Sequence, residues 1–159
     1  MNENNLEKII NNIVGDAIVK EVMSLKLAVK LIETVEEKAA EMGLAVVAAV
    51  SDASGRPIAV HCMDGAYHGS FDVALNKTYT STAFQMSTAK LSRLCQPGQD
   101  LYGLQFSNNG KVMILGGGEP LMVGKTMIGA LGVSGGSAQE DSDLAAYGAS
   151  ALKEVIKCL

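Results

Sequence analysis

Two histidines, one lysine in a serine- and threonine-bearing stretch, three cysteines and two glycine-rich runs are the residues here whose types and spacing suit chemistry. His61 and His68 stand seven apart, which does not match a helical zinc motif, and no acidic cluster surrounds them. His61 reads as an ordinary strand residue. Alternation along that strand sends His61 and Met63 to one face and Cys62 to the other. His68 lies in a glycine-flanked loop, Asp64-Gly-Ala-Tyr-His-Gly69, and is the more accessible candidate for an axial iron ligand. Lys77 shares a helix face with Ser70, Thr80 and Ser81, and spacing allows either a solvated stripe or a pocket wall that holds an anion. Cys62, Cys95 and Cys158 are odd in number and widely separated, so they read as buried reduced thiols, neither a disulfide framework nor a CxxC pair.

Gly116-Gly-Gly-Glu-Pro120 removes three Cβ atoms in a row, so its backbone can approach a ligand, or another part of the chain, very closely. A nucleotide P-loop is excluded, because Gly124-Lys125-Thr126 has no glycine at the required upstream offset. Gly132-Val-Ser-Gly-Gly-Ser137 joins a strand to a helix N-terminus. Its N–H groups suit a carboxylate or phosphate, while Ser137 with Glu140 suits a capping box, and both can hold together. No nucleophile elbow accompanies the histidines.

The elements that must position these residues follow from periodicity and caps. Apolar spacing predicts a short amphipathic helix over residues 4–14, through Leu6, Ile9, Ile10, Ile13 and Val14, with a linker to residue 23. A stronger helix is expected over 25–42, capped by Ser24 and stopped by Gly43. Leu44–Ser51 and Pro57–Met63 read as a hairpin around Asp52–Gly55, and a helix capped by Ser70 follows. Ser87–Leu94 reads as a short helix ended by Pro97-Gly98. Strands are expected at 111–115, 120–123 and 127–133, then a helix from Ser137 to about 157. Tight turns between strands mean an antiparallel sheet with helices packed on it, an α+β fold.

Composition narrows the function. A chain of 159 residues with 48% hydrophobic and 19% charged residues is one globular domain. A net charge of −4 without a basic cluster excludes nucleic acid. The longest apolar run, Leu44–Val50, is far short of a membrane span of about 20 residues, and no signal-peptide pattern opens the chain, so a cytoplasmic protein is expected. Eleven of the 17 glycines fall between Gly98 and Gly136, so glycine is concentrated in the strand region rather than scattered.

The blocks Val50-Ser-Asp-Ala-Ser-Gly55, Met63-Asp-Gly-Ala66, Ser70 with Asp72, Ala74 and Lys77, Gln96-Pro-Gly98, Leu101-Tyr-Gly-Leu104, Gly116–Pro120 and Gly129–Gly136 followed by Asp141 occur in order. In this the chain resembles the GlcG/HbpS family, which also supplies the C-terminal domain of PduO-type corrinoid adenosyltransferases. The resemblance covers roughly residues 24–159. It implies a five-stranded antiparallel sheet flanked by helices, profilin- or PAS-like, and assembly as dimers to octamers. It also implies a haem-binding pocket lined by Asp64, Gly65, Ser70, Lys77, Gly117, Gly118 and Pro120; the candidate metal ligand, His68, comes from the loop reading and not from the resemblance. Residues 1–15 are similar to the encapsulation peptides that direct enzymes into bacterial microcompartments; an extra helix packing on the domain is the other reading.

The function expected is therefore a tetrapyrrole-binding accessory protein, with haem the first ligand and cobalamin a second. It would serve a cobalamin-dependent diol or glycerol pathway, or a microcompartment shell, by binding rather than turnover. One alternative is an enzyme acting on a small hydroxy acid or aldehyde, with Asp64, His68 or Lys77 as base. Another is a structural adaptor. Aromatic residues number only seven, so a haem would be held shallowly or between subunits, with Tyr67, Phe71, Tyr79 and Phe84 as wall candidates.

Overall fold

The computed structural model describes residues 22–159, so the helix expected over 4–14 lies outside the described residues, as does nearly all of the segment 1–23. Helix α1, Leu25–Glu41, starts where the Ser24 hydroxyl accepts the Leu27 N–H at 3.1 Å. Gly43 follows its end with φ +72°, a conformation that favours glycine. Strands β1, Val47–Asp52, and β2, Pro57–Cys62, form the expected hairpin. The Asp52 carboxylate closes its turn by accepting the Ser54 and Arg56 N–H groups at 2.9 and 3.0 Å. Helices α2, Ser70–Phe84, and α3, Thr88–Leu94, come next. Strands β3, Gly118–Val123, and β4, Thr126–Ser134, and helix α4, Ala138–Lys157, complete the chain.

The sheet is antiparallel throughout, in the order β2-β1-β4-β3. Among the described residues it has four strands, not the five expected. Residues 111–115 do not pair with it and turn to helix α2 instead: the Met113 N–H donates to Thr80 Oγ1 at 2.8 Å, and Val112 is buried with Leu91 and Cys95. The apolar run of four residues, Val112–Leu115, signals burial, and burial came from a helix instead of a neighbouring strand.

Helices α1 and α4 cover one face of the sheet, where Leu31, Ile32 and Val35 meet Val46, Ala48, Val50, Leu131, Val133 and Leu144 in the main core. Burying a side chain of this kind contributes roughly 1.5–3 kcal/mol. Helix α2 covers the other face, and it does so at short range. The residues beneath it are small, Ala49 and Gly132 among them, and a Cβ on Gly132 would collide with the Ala74 carbonyl oxygen. A helix so close to a sheet cannot bring large side chains with it. Accordingly α2 buries Thr78, Thr80, Ser81 and Thr82. Three of these hydroxyls donate to carbonyls one turn back on their own helix.

Ser70 is the first residue of α2 rather than its cap. The cap position is Gly69, without a side-chain bond, and Ser70 is buried, its hydroxyl 3.1 Å from that of Ser134. The capping box at α4 is as expected: Ser137 Oγ accepts the Glu140 N–H, and Glu140 accepts the Ser137 N–H.

Candidate functional site

The expected site residues separate into two groups. The first lies in the connection from β2 to α2. Ala66 N–H donates to the Met63 carbonyl, Gly65 takes φ +87°, and Ser70 N–H donates to the Tyr67 carbonyl, so the loop makes two tight turns before the helix starts. These turns hold open a depression of about 460 Å³, lined by Asp64, Gly65 and His68 together with Val47, Cys62, Met63, Tyr67 and Phe71. Asp64, Gly65 and His68 are all exposed there. Tyr67 is 73% exposed and Phe71 43%, so two large rings stand against this hollow, only partly covered by the described residues.

The second group is a buried knot. Lys77 is 1% exposed. Its Nζ donates to the Val133 carbonyl at 2.6 Å and to Asp141 Oδ2 at 2.8 Å. Asp141, in the first turn of α4, accepts the Gly136 N–H on its other oxygen at 2.9 Å. Burial pushes the Lys77 pKa below the ordinary lysine value, and Asp141 opposes that shift by hydrogen bond and charge. Gly116, Gly117 and Gly118 thread through this knot and are buried. The Val133 N–H donates to the Gly117 carbonyl at 2.8 Å, and the Gly118 N–H donates to Thr88 Oγ1 at 2.9 Å. A Cβ on Gly117 would stand 2.7 Å from the Asp141 Cβ and 2.8 Å from Lys77 Nζ. The close approach that three glycines permit is thus between parts of this chain.

Ser70 is the buried first residue of α2, and Pro120 lies on the edge strand β3 opposite Ala130, where its missing N–H leaves no ladder bond unmade. Lys77, Gly117 and Gly118 do not line the depression that holds Asp64, Gly65 and His68. The pocket-wall expectation for Lys77 therefore meets a physical obstacle: an anion reaching its ammonium would have to displace Asp141.

His61 is a strand residue, its Nδ1 3.2 Å from a Glu36 carboxylate oxygen on α1. Of the three thiols expected to be buried, only Cys95 is; Cys62 and Cys158 are exposed. Cys62 lines the depression, and sequence reasoning missed it. The signal was present in the strand alternation, which puts Cys62 on the face opposite His61, the face that α2 covers only in part. Asp141 as the Lys77 partner had no local signal, since 64 residues separate the two.

Among the described residues no three His, Cys, Asp or Glu side chains are placed to hold a bare metal ion. No helix among them is long and apolar enough to cross a membrane.

Among the described residues, a four-stranded antiparallel sheet between two helical layers, with an open hollow at one end of the second layer, defines a small α+β domain. The chain belongs to the HbpS-like family, described as haem degrading protein HbpS-like, whose model matches residues 23–150. It is 40% identical over 123 residues to a 15.0 kDa protein encoded in the dhaT-dhaS intergenic region of Citrobacter freundii, covering 77% of this chain and 87% of that protein. It is 38% identical over 109 residues to the corrinoid adenosyltransferase PduO of Salmonella typhimurium, covering 69% of this chain but only 32% of PduO. The crystal structure of a PduOC:haem complex superposes with a TM-score of 0.78 at 35% identity, covering 82% of this chain and 94% of that one.

Proposed function

We propose that this protein is a tetrapyrrole-binding accessory protein whose ligand, haem in the first instance, seats in the depression between β2 and α2. The observation that carries the reading is the hollow itself: an exposed imidazole, His68, beside two exposed aromatic rings, Tyr67 and Phe71, in one open cavity. Likeness to the PduOC:haem complex over most of the chain supports it. The residues fit the group. A macrocycle-held iron brings four nitrogen ligands and needs one axial donor, and the hollow offers His68 for that place. Tyr67 and Phe71 offer faces to a flat apolar ring. Bound there, haem would supply an iron centre. The chain's own part is to orient the ring, with Asp64 and Gly65 at the rim.

Ser70, Lys77, Gly117, Gly118 and Pro120 act in this reading through the scaffold, fixing where α2 begins relative to the sheet. An open hollow leaves part of a haem uncovered, which suits assembly of several copies around the ligand. Cobalamin is the second candidate ligand, and likeness to part of PduO supports a cobalamin-dependent diol or glycerol pathway as the setting. In that setting residues 1–15 would bind a microcompartment shell.

Titration of the purified protein with hemin and, separately, with cobalamin tests the reading. A saturable spectral shift with hemin is expected. The absence of a saturable shift with either ligand overturns it.

A further inference from the structure

The thiol of Cys62 faces the same hollow as the His68 imidazole, and nothing in the tetrapyrrole reading so far uses it. Cross-strand pairing fixes its direction. Val47 pairs with Cys62 and Ala49 with Val60, so all four project on the face that α2 covers. Val47 and Cys62 are the last such pair before the loop, beside Phe71 at the start of α2, and Cys62 is exposed there.

We propose that Cys62 is an alternative axial ligand that competes with His68 for one metal position in this hollow; the proposal rests on the tetrapyrrole reading and names the centre it takes. One thiol and one imidazole are too few for a bare ion, which ordinarily takes about four ligands, and among the described residues no three His, Cys, Asp or Glu side chains are placed to hold one. The two are enough for a metal already held in the plane of a macrocycle, which takes one or two axial ligands. An open hollow presents one wall, so a flat ring lying on it turns one face, and one axial position, toward this chain. Ligation by His68 forms an iron–nitrogen bond to neutral imidazole and releases no proton. Ligation by Cys62 forms an iron–sulfur bond, and the thiol proton passes to solvent.

The full-length chain with hemin provides the test, in wild type, Cys62→Ser, His68→Ala, the Cys62→Ser/His68→Ala double variant, and Cys158→Ser as the control for an exposed thiol elsewhere. Circular dichroism confirms the fold of each. His68→Ala is expected to keep hemin with the optical and electron-paramagnetic signature of thiolate ligation. The double variant should lose that signature and bind at least about tenfold more weakly than His68→Ala. Cys158→Ser should match wild type. Labelling of wild type by N-ethylmaleimide should be slowed by hemin at Cys62 and not at Cys158. Identical spectra and affinity for His68→Ala and the double variant, or unchanged labelling of Cys62 under saturating hemin, overturn the proposal while leaving haem binding intact. No saturable hemin shift in wild type overturns both.

Discussion

The knot around Lys77 and the hollow beside His68 lie at different depths of the same α2 layer and are built on opposite terms. In the knot both members of the ion pair have protein partners: Lys77 bonds the Val133 carbonyl and Asp141, and Asp141 bonds the Gly136 N–H. In the hollow, imidazole, thiol and two aromatic rings face solvent. Both regions carry the same kinds of sequence signal, namely glycine and a charged residue. Their difference teaches that such signals mark close packing as readily as they mark a ligand. What separates the two is whether the polar groups already have partners.

Removing Lys77 should break this comparison most severely. Lys77→Ala leaves Asp141 buried without its counter-charge, and we expect a loss of about 3–5 kcal/mol in chemical denaturation. Replacing both partners with apolar residues, Lys77→Met with Asp141→Leu, should recover most of that loss. A double variant as unstable as the single one would show that the pair does more than compensate its own burial. Gly117→Ala comes next. Its φ of +110° and the Asp141 and Lys77 atoms around the new Cβ predict a cost of roughly 1–3 kcal/mol. In the hollow the expectation reverses. Tyr67→Ala and His68→Ala should change stability by no more than about 0.5 kcal/mol, while weakening hemin by about tenfold or more. A large loss of stability from either would mean that the loop is structural after all.

Two smaller effects sharpen the picture of the sheet. Burial pushes the Glu119 carboxyl on β3 above its ordinary value of 4.5. The unfolded chain therefore gives up this proton at lower pH than the folded chain does. The sign follows: Glu119 lowers stability as pH rises from about 4.5 toward its folded value. Glu119→Gln should remove that fall, measured as the slope of Tm against pH. Glu36→Gln removes the half-exposed contact with His61 and should cost only about 0.2–1 kcal/mol.

Much of the fold was legible in the sequence because its signals are local. Ser24 and Ser137 cap the helices they precede, Gly43 ends one, and the Asp52 turn pairs β1 with β2. The missing fifth strand shows where locality ends: Val112 signals burial, but only the tertiary position of Thr80 decides that its segment bonds a helix. The site divides in the same way. His68 with Asp64 and Gly65 could be grouped because they share one loop. Lys77 was placed with them by the family resemblance, and its removal from the hollow depends on Asp141, 64 residues away.

Amide hydrogen exchange with and without saturating hemin tests the central claim most directly, since it reads both regions in one experiment. The account predicts new protection concentrated in residues 62–71, with exchange at 116–118 and in the first turn of α4 unchanged. Protection at 116–118 and the start of α4 with none at 62–71 would contradict it, and would make the knot the ligand site.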